Sequence, residues 1–66
     1  METRFTPKEK MQEAQREVAM RRRVYPGRVE SGKLDPQVAA RQIEIMIEIS
    51  EEYKAKADQD NRGFFG

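Results

Sequence analysis

The 66-residue chain contains no cysteine, no histidine and no tryptophan. The absence of cysteine excludes disulfides and thiolate metal sites, and it gives no sign of an oxidising compartment. Without histidine as well, a structural zinc ion has no plausible set of ligands. The same absences remove the groups that activate most nucleophiles and carry most protons in enzymes. We therefore expect a protein that is not an enzyme and that holds no metal ion.

The chain also lacks any long apolar run. No stretch approaches the roughly 20 residues that cross a bilayer, and the opening METRFTPKEK lacks the apolar core of a signal peptide. We therefore expect a cytoplasmic protein that does not contact a membrane. A chain of this length allows one small domain at most. Because disulfides and soft metals are excluded, its stability requires regular helix packing, oligomerisation or a partner.

Neither sign of charge is in clear excess, with 13 Lys and Arg against 12 Asp and Glu. The distribution is uneven, since residues 1–33 have a net charge of +4 and residues 34–66 have a net charge of −3. A basic half and an acidic half can pair within one chain or between two antiparallel chains. The near-neutral total argues against general binding of nucleic acids.

The clearest helix signal is Thr6-Pro7-Lys8-Glu9, which fits a capping box with proline at the first helical position. No glycine or proline follows until position 26, so the pattern predicts helix one over about 7–24. Residues 1–5 are predicted to be a flexible N-terminus. Two pairs of opposite charge at helical spacing support the helix: Glu13 with Arg16, and Glu17 with Arg21.

A corner is predicted over 25–35, because Pro26 cannot donate a hydrogen bond to the preceding turn. The corner has room for one further helical turn before Gly32 ends it in a left-handed conformation. Asp35 and Pro36 then repeat the start signal of a helix. The short connection makes the two helices antiparallel neighbours.

Helix two is predicted over about 36–57, followed by a flexible tail over 58–66 that contains Phe64 and Phe65. Its centre, 43–49, alternates isoleucine with glutamate as a strand would, but a single strand would have no pairing partner. On a helix these apolar residues cover an arc too wide for one neighbouring helix. We therefore expect an all-α fold, an antiparallel hairpin of two helices over 6–57 that dimerises into a four-helix bundle. The expected dimer or partner contacts are Val38, Ile45, Ile47 and Ile49.

A cluster of arginines is the strongest functional candidate among the charged residues: Arg21, Arg22, Arg23 and Arg28. Three consecutive residues span most of a helical turn, so at least one arginine faces helix two and can pair with Glu44 or Glu48. The others can meet phosphates or an acidic protein surface. The simpler interpretation is favourable charge at the C-terminal end of a helix.

One segment, Gly27–Leu34, comes within one residue of the phosphate-binding loop G-x-x-x-x-G-K-[ST]. Leu34 stands where the loop needs a hydroxyl for magnesium, and no strand precedes the segment. The chain is also too short for the parallel sheet that this loop requires. We therefore interpret Gly32 as the end of a helix and expect no nucleotide cofactor.

The run Met20–Pro26, the segment Gly32-Lys33-Leu34 and the apolar spacing up to Tyr53 resemble a group of short hypothetical proteins of tailed phages and prophages. The pattern of that group is M-R-x-R-V-Y-P-x-x-V-x-x-G-K-L, followed by a helix ending I-x-V-M-x-x-I-x-x-x-Y, and the resemblance covers about 15–53. It implies a phage accessory protein in a bacterial cell and no particular chemistry. The position of Ile47 is commonly polar in the group, which suggests a contact particular to this chain.

From these observations we expect an accessory protein that binds and modulates a host or phage protein. Apolar contact would come from the isoleucines of helix two, and charge complementarity from the arginine cluster. The alternative is a nucleic-acid-associated factor in phage replication or recombination, which would present the arginines of a dimer to a phosphate backbone. Salt distinguishes the two, because phosphate-driven binding weakens steeply between about 50 and 200 mM salt.

Overall fold

The protein is a hairpin of two antiparallel helices, 51 × 20 × 18 Å in extent. The computed structural model describes residues 4–65, and side chains for residues 4–60. Helix α1 spans Pro7–Glu30 and helix α2 spans Pro36–Phe65. The described part of the chain contains no strand, which confirms the all-α hairpin. Neither helix, over the residues described, is long and apolar enough to cross a membrane.

Helix α1 begins with the predicted capping box. The Glu9 amide donates to the Thr6 hydroxyl oxygen at 3.1 Å, and the Thr6 amide donates to the Glu9 carboxylate at 3.2 Å. The predicted end at residue 24 is too early, because α1 continues through Pro26 to Glu30. Pro26 removes one amide hydrogen bond and its ring crowds the carbonyl four residues earlier, but the later turns of α1 still form and are closed by the bonds at Gly32.

The corner is shorter than predicted and spans 31–35. Gly32 has a φ of 78°, the left-handed conformation expected of a glycine that ends a helix. The Lys33 amide donates to the Arg28 carbonyl at 2.9 Å, and the Gly32 amide donates to the Val29 carbonyl at 3.1 Å. These two bonds form a Schellman motif, which satisfies the last carbonyls of α1 and turns the chain towards α2.

Helix α2 also begins as predicted. The Asp35 carboxylate accepts hydrogen bonds from the amides of Gln37 at 2.8 Å and Val38 at 3.2 Å. The helix extends past the predicted end at 57, so the predicted tail is helical over 58–65. No proline or glycine lies between Pro36 and Gly63, and the alanines and lysines before residue 58 favour helix. Residues 1–3 and 66, and the side chains of Phe64 and Phe65, lie outside the described residues.

The two helices meet along a line of small side chains, which we call the seam: Ala14, Val18, Ala39, Ser50 and Ala57. Each of these residues is at most 9% exposed. The Ser50 hydroxyl donates to the Ile47 carbonyl at 2.7 Å, so its polar atom is satisfied within α2. Small side chains allow two helices to approach closely, but they bury little apolar area. Among the described residues the fully buried core is therefore small, and larger half-buried side chains such as Ile43 and Ile47 add to it.

Candidate functional site

Four large apolar side chains are exposed on the described surface. Phe5 is 54% exposed, Ile45 46%, Val38 42% and Met20 38%. Scattered exposed apolar residues are normal on a protein surface, whereas a contiguous group marks a surface that binds something. Whether these four residues lie together therefore decides whether they form a candidate site.

An open groove of about 740 Å³ lies between the helices on one side of the hairpin. Met46, Ile49 and Tyr53 of α2 line the groove together with Ala14 of the seam. Phe5 also lines the groove. The charged residues that line it all come from α1: Glu9, Lys10, Glu13, Arg16 and Glu17. The groove thus has apolar residues from α2 and charged residues from α1.

Helical spacing places the other exposed residues on this same side. Seven residues make almost two full turns, so Met20 lies on the stripe of Glu13, and Val38 on that of Ile45. Ile45 and Ile49 are neighbours one turn apart on α2. We call the resulting surface the apolar face and define it by seven residues: Phe5, Met20, Val38, Ile45, Met46, Ile49 and Tyr53.

Ile47 does not belong to the apolar face. Two residues of an α-helix differ by about 200° of rotation, so Ile47 lies about 160° from both Ile45 and Ile49. It is half-buried on the opposite flank of α2 and is not among the residues that line the groove. Of the four predicted contact residues, the structure thus brings together Val38, Ile45 and Ile49.

Sequence reasoning missed Phe5, Met20, Met46 and Tyr53 as members of this face. The seven-residue spacing from Glu13 to Met20 was a usable signal, because it assigns Met20 to the flank of α1 rather than to its buried line. Met46 and Tyr53 are also seven residues apart, so they share a stripe on α2. Phe5 precedes α1, and helical periodicity does not extend to it.

The Arg21 side chain is engaged in contacts that stabilise the hairpin. Its guanidinium Nε is 2.9 Å from a carboxylate oxygen of Glu17, which confirms one of the two predicted ion pairs. Its Nη1 donates to the backbone carbonyl of Gln42 on α2 at 2.8 Å. The Tyr25 hydroxyl donates to the Gln42 side-chain oxygen at 3.1 Å, beneath the same guanidinium. Arg21 therefore ties α1 to α2, and it pairs with neither Glu44 nor Glu48.

The remaining arginines of the predicted cluster point in different directions. Arg22, Arg23 and Arg28 are all exposed. Arg22 and Arg23 are separated by about 100° around α1, while Arg28 lies two turns beyond Arg21 on the groove side. The four arginines do not form one continuous patch. The second predicted ion pair, Glu13 with Arg16, is present at 2.8 Å on the surface.

In the segment that resembles a phosphate-binding loop, Gly27–Leu34, backbone amides donate hydrogen bonds to carbonyls of the same segment. The amides of Lys33 and Leu34 both donate to the carbonyl of Arg28, at 2.9 and 3.2 Å. Gly32 donates to Val29, as described above. Because a phosphate-binding loop works through free amides, this segment acts as the end of a helix. No three acidic side chains gather at a potential metal site within the described residues.

Tyr53 gives the apolar face a polar margin. The Lys10 ammonium lies 5.4 Å from the centre of the Tyr53 ring, and the Lys56 ammonium lies 4.9 Å from it. Cations over an aromatic ring are attracted by its negative face. The two lysines therefore hold the ring in place between the helices at the open end of the hairpin.

Comparisons of the chain with protein-family models, with curated proteins and with solved structures find no match.

Proposed function

We propose that this protein is a non-enzymatic accessory protein that acts by binding another protein through its apolar face. The observation that supports the proposal is the exposure of Phe5, Met20, Val38 and Ile45, which helical spacing assigns to the side of the groove. An apolar surface of this kind is unfavourable in water and becomes favourable when a second apolar surface covers it.

The groove in the apolar face suggests which kind of structure the partner would present. A groove between two helices accommodates a third helix, whose apolar side chains enter at intervals of three and four residues. Met46 and Ile49 would contact those side chains, and Ile45 would extend the contact onto the outer surface of α2.

The resemblance to short phage proteins supports a host or phage protein as the partner, inside a bacterial cell. Accessory proteins without catalytic groups act by occupying a surface of their target. The alternative, binding of nucleic acid by the arginine cluster, has less support. Arg21 is engaged with Glu17 and Gln42, and the exposed arginines are spread around α1.

The test begins with in-cell photo-crosslinking from position 45 and identification of the crosslinked protein by mass spectrometry. The purified partner is then titrated with the wild-type protein, with Ile45→Glu and with Ala40→Glu. Ala40 is exposed on the same helix, but on the flank away from the groove, so it provides a matched control. We expect Ile45→Glu to weaken binding at least tenfold and Ala40→Glu to leave it unchanged.

Equal binding by the wild type and by Ile45→Glu would refute the proposal. The titration is repeated at about 50 and 200 mM salt, where an apolar contact changes little, and duplex DNA is titrated in parallel. Binding of DNA that weakens by a factor of about 10³ or more between these salt concentrations, and that is lost in Arg22→Ala/Arg23→Ala, would favour the nucleic-acid alternative.

A further inference from the structure

The hairpin exposes more surface than a compact monomer of its mass. Its accessible surface is 5713 Å², whereas a compact 7.7 kDa monomer exposes about 4,300 Å². The excess of about 1,400 Å² is larger than the ~800 Å² that one partner contributes to a typical stable interface. The apolar face therefore belongs to a molecule with enough surplus surface to bury a full interface.

We propose that a second copy of this chain covers the apolar face, with the two hairpins face to face and antiparallel about a two-fold axis. This inference rests on the proposed function, because it takes the apolar face as a docking surface and names an occupant. The dimer is a four-helix bundle in which each helix packs on its own counterpart. The same face cannot hold a second copy and another protein at once, so dimer formation limits access to it.

The charge distribution along the hairpin determines the orientation. The half that contains the corner, residues 19–46, has a net charge of +3. The open half, residues 4–18 and 47–60, has a net charge of −2. An antiparallel dimer places the basic half of each copy on the acidic half of the other, whereas a parallel dimer places like charges together.

Individual residues on the groove side follow the same pattern. The two-fold axis crosses α2 near residue 47, so Ile45 and Ile49 of one copy meet those of the other at the centre. Arg41 and Glu52 lie at similar distances on either side of that point, and both are exposed. Arg41 of one copy therefore lies near Glu52 of the partner subunit. On α1, Arg28 of one copy likewise lies near Glu9 of the partner subunit.

Sedimentation equilibrium between about 1 and 500 μM protein tests whether two copies of the chain associate. We expect the mass to rise from 7.7 kDa to twice that value. Ile45→Glu should raise the dimer dissociation constant at least tenfold, and Ala40→Glu should leave it unchanged. Circular dichroism verifies that both variants remain helical. A monomer at every concentration, a higher oligomer, or equal association by wild type and Ile45→Glu would overturn the inference.

Disulfide trapping tests the orientation, because the chain has no cysteine of its own. Val38 and Lys56 lie nine residues on either side of position 47, so they meet across an antiparallel dimer. A mixture of Val38→Cys and Lys56→Cys proteins should form the mixed disulfide under mild oxidation. Neither variant alone should crosslink to itself, because its two copies of the site lie about 27 Å apart. Self-crosslinking of Val38→Cys in preference to the mixed product would overturn the antiparallel arrangement.

The inference and the proposed function can fail separately. In one outcome the wild type remains monomeric, and Ile45→Glu abolishes binding of the purified partner protein. That outcome supports the proposed function and contradicts the inference that a second copy covers the apolar face. The other outcome is a dimer that Ile45→Glu disrupts, while the purified partner protein binds the variant as tightly as the wild type. That outcome confirms a second copy on the apolar face and contradicts the proposed function.

Discussion

The seam and the apolar face reverse the usual distribution of side chains between the inside and the outside of a protein. The seam between α1 and α2 buries alanines, one valine and one serine, while the apolar face exposes larger residues such as Met20 and Ile45. Burial of a large aliphatic side chain contributes about 1.5–3 kcal/mol, far more than burial of an alanine. The hydrophobic free energy of exposed residues such as Met20 and Ile45 is thus left unused by the hairpin, while half-buried residues such as Ile43 already contribute to it.

This difference indicates that the seam and the face have separate roles. The seam needs small residues because they let two helices approach closely, and it sets the geometry of the hairpin. The apolar face needs large residues because they supply the free energy of association with a second surface. A substitution in one region should therefore have little effect on the other, which the following predictions test.

The largest effect is expected for Ala39→Leu in the seam. Ala39 is 5% exposed, so three added carbons have no space and force the helices apart. Overpacking of this kind lowers the free energy of unfolding by about 2–3 kcal/mol. Urea unfolding followed by circular dichroism measures it. Ala40→Leu is the control, because exposed Ala40 should tolerate the same change within about 0.5 kcal/mol. Equal losses in the two variants would show that the seam is not closely packed.

The second effect concerns the edge of the seam, where Arg21 joins the helices. Arg21→Ala removes the bonds to Glu17 and to the Gln42 carbonyl, and it should lower the free energy of unfolding by about 2 kcal/mol. Arg21→Lys should recover only part of that loss, since one ammonium cannot reproduce the guanidinium geometry. Arg22→Ala, on the exposed surface, serves as the control in the same unfolding assay. If Arg21→Ala and Arg22→Ala are equally stable, the bond between the helices contributes nothing.

The third prediction compares two glycines near the corner and should give effects of opposite sign. Gly32→Ala places a side chain at a φ of 78° and should destabilise the hairpin by about 1 kcal/mol. Gly27→Ala lies within α1, with open space around the added carbon, and should stabilise it by about 0.5–1 kcal/mol. Melting temperatures of the two variants measure the difference. A loss at both positions would indicate that the chain after Pro26 is not helical in solution.

The smallest effect on the hairpin itself is expected on the apolar face. Ile45→Gln should change the free energy of unfolding by no more than about 0.5 kcal/mol at low micromolar concentration, because Ile45 is 46% exposed. At high concentration the wild type should gain stability through association, and the variant should not. Unfolding curves at the two concentrations check this. A large loss at low concentration would place Ile45 in the core of the hairpin and remove the distinction between seam and face.

The parts of the fold that the sequence predicted correctly are those with local causes. Thr6 with Glu9 and Asp35 with the amides that follow it are capping interactions within a few residues. The prediction failed at Pro26, where the lost hydrogen bond and the crowding of the preceding turn did not end α1. It also failed beyond residue 57, where polar composition suggested a tail and helix-forming residues extended α2.

The candidate site was predictable only in part. Val38, Ile45 and Ile49 were predicted as contacts, and the structure places all three on one side of α2. Ile47 was added to them because its position is commonly polar in the phage group, although on a helix it lies about 160° from Ile45. The arginine cluster was a reasonable hypothesis from the run Arg21-Arg22-Arg23, but its first member is occupied by Glu17 and by α2.

The sequence by itself determined where each helix begins, how α1 ends at Gly32, and which charges pair along α1, since these interactions join residues at most six apart. Only the tertiary structure decided how far each helix is rotated about its axis. That rotation depends on the packing of seam residues such as Val18 and Ser50, which lie far apart in the chain. It buries the small residues, brings Arg21 to the Gln42 carbonyl and leaves Ile45 on the surface.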